Sequence, residues 1–127
     1  MRTRVATQLD EAAALDVVRA DGETTGRQPS KATLAALRAV LRSPTTLTLL
    51  AEVDGTVAGL LVAELRGREL QLSLVRVAPA HRGGGAGRAL VRALVARYPQ
   101  VVAATDEPGA LALLEQERGA RAGPDSE

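Results

Sequence analysis

Residues 82–88 read Arg-Gly-Gly-Gly-Ala-Gly-Arg, and no other stretch restricts the possible folds of this chain as strongly. Upstream, Leu72, Leu74, Val75 and Val77 form a strand-like apolar pattern; downstream, Leu90, Val91, Leu94 and Val95 recur at helical spacing. The glycines therefore mark a strand-to-helix junction. Lacking β-carbons, they let backbone N–H groups approach a ligand closely, and the first turn of the following helix adds orphan donors and the positive end of its dipole. Arg82 and Arg88 put a full charge at each end. The junction suits a phosphate. A bare linker is the alternative, yet three consecutive glycines cost conformational entropy that a plain turn does not require.

A chain of 127 residues is one domain of ordinary size, expected to span 1–127. Its hydrophobic content of 46% consists of Ala, Leu and Val with Tyr98 as the one aromatic residue, so the core must be aliphatic. Base stacking of the kind single-stranded nucleic acid readers use has no material here. Sixteen basic residues against fifteen acidic ones give a net charge of +1, which points to neither nucleic acid nor an anionic membrane. The absence of cysteine excludes a disulfide framework, thiol catalysis and a Cys-based zinc site, and a single histidine excludes a His-rich metal site. No metal is expected. The N-terminus lacks an apolar leader segment and no uncharged run approaches the ~18 residues of a membrane span, so a cytoplasmic protein is the expectation.

Residues 2–6 read as a strand. Thr7-Gln8-Leu9-Asp10 offers a helix cap with an acid three residues on, and a helix to about Ala20 follows, with Leu9, Ala13, Ala14, Val17 and Val18 on its apolar face and Asp21-Gly22 as its stop. After a polar loop, Ser30 caps a second helix, Lys31 to about Arg42, which Ser43-Pro44 terminates. From Thr45 the period changes to that of strands. Thr45 to Val53 and Thr56 to Leu65 are joined by the hairpin signal Asp54-Gly55; Gly59 suggests a bulge or close backbone approach; Arg66-Gly67 turns the chain into a third strand, Glu69 to Val77. Beyond the glycine junction and its helix come a short strand, Val101 to Ala104, parallel to the third because a crossover helix joins them, and a last helix from Pro108 to about Arg118 followed by a frayed polar tail.

Two familiar phosphate loops fail on spacing. A P-loop needs Lys and Ser or Thr after its last glycine, whereas Gly87 is followed by Arg88-Ala89. A dinucleotide fingerprint starting from Gly83 has Arg88 in its sixth place, and one starting from Gly85 has Leu90. The pattern that fits is Arg-x-x-Gly-x-Gly, from Arg82, Gly85 and Gly87, preceded by Val75-Arg76-Val77-Ala78-Pro79. This resembles the acetyl-CoA binding core of the GNAT superfamily of N-acetyltransferases. The element order β-α-α-β-β-β-α-β-α matches that family from Arg2 to about Gly119. The resemblance implies an α/β (α+β) fold with a mixed, mostly antiparallel sheet flanked by helices. It implies that Val75, Arg76 and Val77 lie where the central strand parts from its neighbour and offer backbone groups to the pantetheine arm. It further implies that Arg82, Gly83, Gly84, Gly85, Ala86, Gly87 and Arg88 wrap the pyrophosphate. His81 reads as a loop residue flanking the cofactor rather than a base. Arg88 and Arg92, four apart on a helix, either share a phosphate-facing side or belong to a solvated face.

The chain departs from the family pattern around the chemistry. Many members carry a glutamate base on the central strand, where this chain reads Gln71-Leu72-Ser73-Leu74; Glu52, Glu64 and Glu69 are nearby candidates, each also readable as a solvent-facing strand residue. The family's proton-donating tyrosine in the last helix is replaced by Leu114 or Glu115, and its Gly-Phe pair by Gly119-Ala120. The chain ends at Glu127, where the family continues with two further strands, leaving an open acceptor side or an edge that a second copy would pair with, as a homodimer. The implied activity is acetyl transfer from acetyl-CoA to a primary amine of a small molecule or peptide, by direct attack in a ternary complex; Asp21, Glu23, Asp106 and Glu107 are candidate attractors for a cationic acceptor or ordinary solvated charges. A thiol of pKa about 8.5 leaves readily without a dedicated acid. The alternative is a non-catalytic CoA-binding or interaction module of the same fold.

Overall fold

The computed structural model describes residues 1–26, 30–103 and 108–125, and within them the expected element order holds. The strands are β1 (Arg2–Val5), β2 (Thr46–Val53), β3 (Thr56–Arg66), β4 (Glu69–Val77) and β5 (Val102–Ala103); the helices are α1 (Glu11–Thr25), α2 (Lys31–Arg42), α3 (Ala86–Arg97) and α4 (Pro108–Asp125). The strands form one sheet in chain order, antiparallel from β1 to β4, with β5 parallel to β4 across the α3 crossover.

Helices cover both faces of the sheet, which is why β3 is buried without interruption from Ala58 to Ala63 instead of alternating. On one face Leu49, Leu61 and Leu72 pack against Leu90, Val91, Leu94 and Val95 of α3 and Leu114 of α4. On the other, Leu50, Leu60 and Val62 meet Ala14 and Val17 of α1, with Leu37, Val40 and Leu41 of α2 packed alongside. Each fully buried Leu or Val contributes about 1.5–3 kcal/mol, so an aliphatic core of this extent holds a domain together without aromatic residues.

The turns follow their residues. Asp54 and Gly55 take φ of 51° and 79°, the left-handed pair of a type I′ hairpin. The second turn falls one residue later than expected, at Gly67-Arg68, because Arg66 still pairs with Glu69 and it is Gly67 that takes positive φ, 64°. Gly59 has both features proposed for it. Ala51 pairs with Gly59 and Glu52 with Val57, so Ala58 bulges out; a β-carbon on Gly59 would lie 2.9 Å from the Arg76 carbonyl oxygen.

Three expectations are corrected. The first helix does not stop at Asp21-Gly22 but continues to Thr25, ahead of Gly26 at φ 73°. Gly in a helix interior costs only about 1 kcal/mol, and Asp21 is held in place by ion pairs to Arg76 and Arg82. Leu9 is 94% exposed, because it sits in a short 3₁₀ turn, Gln8–Asp10, that breaks the helical period; Leu15 is buried instead. The capping box itself is present, with Thr7 N–H donating to Asp10 Oδ2 at 2.7 Å. The last helix runs past Arg118 to Asp125, where a frayed tail was expected; Ala120, Arg121 and Ala122 favour the extension, while Gly119, Gly123 and Pro124 do not. Strand β5 keeps only Val102 and Ala103, while Ala104 lies outside the described residues. No helix among the described residues is long and apolar enough to cross a membrane.

Candidate functional site

Strand β4 changes its company halfway along. It pairs with β5 only through Gln71 with Val102 and Leu72 with Ala103; from Ser73 to Val77 its outer edge has no strand beside it among the described residues. At the same point its register with β3 slips, since Val62 pairs with Leu74 and Ala63 with Leu72, leaving Ser73 as a bulge. Bulges of this kind twist a strand and re-aim its side chains.

Past the bulge, Ala78 N–H donates to Ala58 O at 2.8 Å, so alternation along the strand turns the backbone groups of Val77 and Val75 to the open edge. Those of Arg76 face β3, consistent with its carbonyl lying against Gly59. Of the three residues expected to offer backbone groups, Val75 and Val77 have theirs at the open edge and Arg76 has its own toward β3. Its side chain matters instead: Nη1 donates to the Val75 carbonyl at 3.0 Å and Nε lies 3.4 Å from Asp21 Oδ2. A carbonyl oxygen has two lone pairs, so the Val75 oxygen keeps one for another donor.

The chain then leaves β4 through a 3₁₀ turn, Pro79–His81, and enters the glycine loop. Gly83 and Gly85 take φ of 82° and 85°, conformations costly for any residue with a β-carbon. The first bond into α3 is Ala89 N–H to Gly85 O at 2.9 Å, so the N–H groups of Ala86, Gly87 and Arg88 form the orphan first turn. Gly84 is tucked back into the loop, its N–H donating to the His81 carbonyl at 3.3 Å. A β-carbon on Gly87 would meet Leu113 Cδ1 at 3.2 Å and Val77 Cγ2 at 3.7 Å. Its bareness keeps open a cleft of about 370 Å³ lined by Val77, His81, Arg82, Gly83, Gly85, Ala86, Gly87, Arg88 and Leu113. Leu113 was not singled out from the sequence, although it lies on the apolar stripe of the last helix.

The loop's cations are already engaged. Arg82 is ion-paired with Asp21 of α1, which makes Asp21 part of the loop's support rather than a solvated acid. Arg88 and Arg92 converge on Glu117 of α4, at 3.4 and 3.2 Å; Glu117 is only 3% exposed, against 49% and 64% for the arginines. Glu117 was missed as well. The available signal was a carboxylate in step with Ala110 and Leu114 on an otherwise apolar helical stripe, opposite two arginines spaced one turn apart.

The acid–base candidates separate clearly. Glu52 is ion-paired with Arg4, and Glu69 accepts from Gln71 Nε2 at 3.0 Å on an exposed part of β4. Glu64 accepts from Ser73 Oγ at 2.9 Å, directly at the bulge, with Arg66 Nη2 3.8 Å away. Neither stand-in for the tyrosine serves: Leu114 is buried in the core and Glu115 is exposed. Tyr98 follows the last residue of α3, a helix of 12 residues and so about 18 Å from the glycine loop at its start. Asp106 and Glu107 lie outside the described residues, as does the side chain of Glu23.

The family model described as "Acetyltransferase (GNAT) family" matches residues 12–120. The chain belongs to the GNAT acetyltransferase family. No curated protein sequence matches it. Among solved structures, a GNAT family acetyltransferase from Brucella melitensis in complex with acetyl-CoA is similar at 31% identity and TM-score 0.60, covering 76% of this chain and 66% of that one. A ribosomal-protein-alanine N-acetyltransferase from Brucella melitensis biovar Abortus shares the fold at TM-score 0.70 and 19% identity, over 91% and 89% of the two chains. An aminoglycoside antibiotic 6′-N-acetyltransferase from Acinetobacter haemolyticus does so at TM-score 0.64 and 20% identity, over 94% and 90%. The GNAT sheet, mostly antiparallel and flanked by helices, is thus the one the sequence pattern called for.

Proposed function

We propose that this GNAT domain, spanning residues 1–127, binds acetyl-CoA and transfers the acetyl group to a primary amine by direct attack in a ternary complex. The observation that carries the reading is the cradle at the open edge of β4. There the outward backbone groups of Val75 and Val77 run into a loop whose Gly83 and Gly85 have positive φ and whose Gly87 leaves room that a β-carbon would take. These residues fit the group: amide edges for a pantetheine arm, first-turn N–H donors of Ala86, Gly87 and Arg88 for a pyrophosphate, and Arg82 and Arg88 for its charge. Bound acetyl-CoA supplies an acetyl group activated as a thioester. The chain's part is to hold that group along β4, to exclude water with Val77 and Leu113, and to take a proton from the acceptor.

The acceptor is either a small molecule or a peptide amine. Neighbours of the same fold include both kinds of enzyme by name, at identities that speak for fold alone. The reading is tested by calorimetric titration with acetyl-CoA, followed by assay of free CoA release with a panel of amines and peptides. Saturable binding, lost in Gly87→Val, and release above background with at least one amine are expected. No heat and no rise in melting temperature at saturating acetyl-CoA would remove the cofactor assignment, since a ligand that binds the native state alone must raise it.

A second reading, a CoA-binding module without catalysis, draws on one specific observation: Leu114 is buried and Glu115 exposed, and among the described residues of α4 it is the apolar Leu113 that lines the cleft. Binding without CoA release from any acceptor identifies it.

A further inference from the structure

We propose that Glu64, acting through the Ser73 hydroxyl, is the general base of this enzyme, so that the base stands on β3 rather than on the central strand; the inference rests on the acetyl-transfer reading above. Three observations meet at one point. Strand β4 loses β5 after Leu72, the β3–β4 register slips there, and Ser73 is the residue left over. Its Oγ donates to Glu64 Oε2 at 2.9 Å, a contact that joins the bulge to the neighbouring strand. Leu60 and Val62 face α1 and α2, so alternation puts Glu64 on that same face, while the Val75 and Val77 side chains pack toward α3 and α4. The carboxylate and the apolar wall of the cleft therefore lie on opposite sides of β4, with Ser73 between them.

The other carboxylates of the meander are spoken for. Glu52 is held by Arg4, and Glu69 lies toward the start of β4 against Gln71. Glu64 is part-buried, its side chain 26% exposed, and its nearest cation is the more exposed Arg66, with Nη2 3.8 Å from Oε1. The proton path balances. Ser73 Oγ accepts a proton from the acceptor ammonium as its own proton passes to Glu64 Oε2; the hydroxyl is regenerated and the amine lone pair is released. The nitrogen's second proton goes to the departing sulfur as the C–N bond forms and the C–S bond breaks, and Glu64 returns its proton to water.

The test compares wild type with Glu64→Gln, Glu64→Asp, Ser73→Ala, Ser73→Thr and Glu69→Gln, using acetyl-CoA and the amine panel. It reads the acetyl-CoA dissociation constant, kcat, KM for the amine, and the pH profile. Glu64→Gln should bind acetyl-CoA within about twofold of wild type yet lose about 10²–10³-fold in kcat at neutral pH, a typical general-base contribution. Its rate should then climb with pH as the amine deprotonates in solution. Ser73→Ala should show a smaller loss of the same pH signature, Ser73→Thr and Glu64→Asp should recover part of it, and Glu69→Gln should match wild type. An unchanged kcat and pH profile in Glu64→Gln overturns the assignment of the base while leaving acetyl transfer standing. Wild type that binds acetyl-CoA but acetylates nothing overturns it too, and failure to bind acetyl-CoA removes the parent reading instead.

Discussion

Glu117 offers a sharp test of how α4 is attached, because its two partners are unequal to it in burial. Its carboxylate is 3% exposed, while Arg88 and Arg92 keep 49% and 64% of their side chains in solvent. Removing one arginine leaves the carboxylate a partner, so each single Arg→Ala change should cost about 0.5–1 kcal/mol, as exposed ion pairs do. Removing both strands a buried charge, which costs about 3–5 kcal/mol. The double variant should therefore be about 2–3 kcal/mol worse than the sum of the singles, well beyond the ~0.5 kcal/mol within which independent sites add. Glu117→Leu, by contrast, returns two solvated arginines to water and fills the space with an apolar side chain, so alone it should change stability by about 1 kcal/mol or less and should rescue the double variant. Urea denaturation reads the five variants, the triple included, against wild type. With an m-value of about 1–3 kcal/mol per molar, the double change should lower the midpoint by at least about 1 M, and Glu117→Leu should restore most of it. Additivity of the two arginine changes, or no rescue, would refute the claim that burial of the carboxylate sets the energetics. Because Arg88→Ala alone keeps the fold, its acetyl-CoA affinity isolates what Arg88 contributes at the phosphate cradle.

Three further outcomes follow from local geometry. Gly59→Ala should lower stability by about 1–3 kcal/mol, seen as a drop in melting temperature, because its β-carbon would press on a main-chain oxygen 2.9 Å away and β3 and β4 would have to part. An unchanged melting temperature would show that the bulge absorbs the methyl group. Thr48→Val should raise the urea midpoint, since Thr48 Oγ1 is buried without a partner among the described residues and an unpaired hydroxyl costs about 1–3 kcal/mol; a lower midpoint would mean the hydroxyl is satisfied by water. Asp10 titrates well below the usual carboxylate range, chiefly because Arg4 hydrogen-bonds it and next because the Thr7 N–H does. A lowered folded pKa stabilises above the unfolded value of about 3.9 and is lost as pH falls below it, so Asp10→Asn should be less stable at neutral pH and should flatten the acid limb of a melting-temperature profile below about pH 4. Parallel profiles would remove Asp10 from the account.

The parts of the fold legible from sequence are those whose chemistry is local. The Asp54-Gly55 hairpin, the Thr7 cap and the glycine junction each declare themselves within a few residues, because positive φ and orphan helix donors restrict residue choice directly. Helix ends were less legible. Asp21-Gly22 carries a stop signal, but the ion pairs from Arg76 and Arg82 lie more than fifty positions further along the chain, and no local pattern announces them. The glycine run was read as a strand-to-helix junction, as the structure has it, whereas the engagement of its arginines, Arg82 with Asp21 and Arg88 with Glu117, depends on helices that reach it from both ends of the chain.

The same division explains why Glu64 was one of three candidate carboxylates in the sequence and its pairing with Ser73 was not foreseen, while the glycine junction stood out. Reading Gln71 to Leu74 for a family glutamate assumes that the base sits on β4 itself, but the register slip at Val62 and Ala63 makes a cross-strand partner available to the leftover Ser73. A bulge converts a sequence question, which residue stands at this position, into a pairing question, which residue stands opposite. Glu64, nine positions earlier on β3 and in the sequence one of three candidate carboxylates, answers the second. A chain that has lost the usual glutamate need not have lost the reaction, because the bulge at which β4 parts from β5, where the cofactor is proposed to lie, is also where a carboxylate of β3 comes within reach of Ser73.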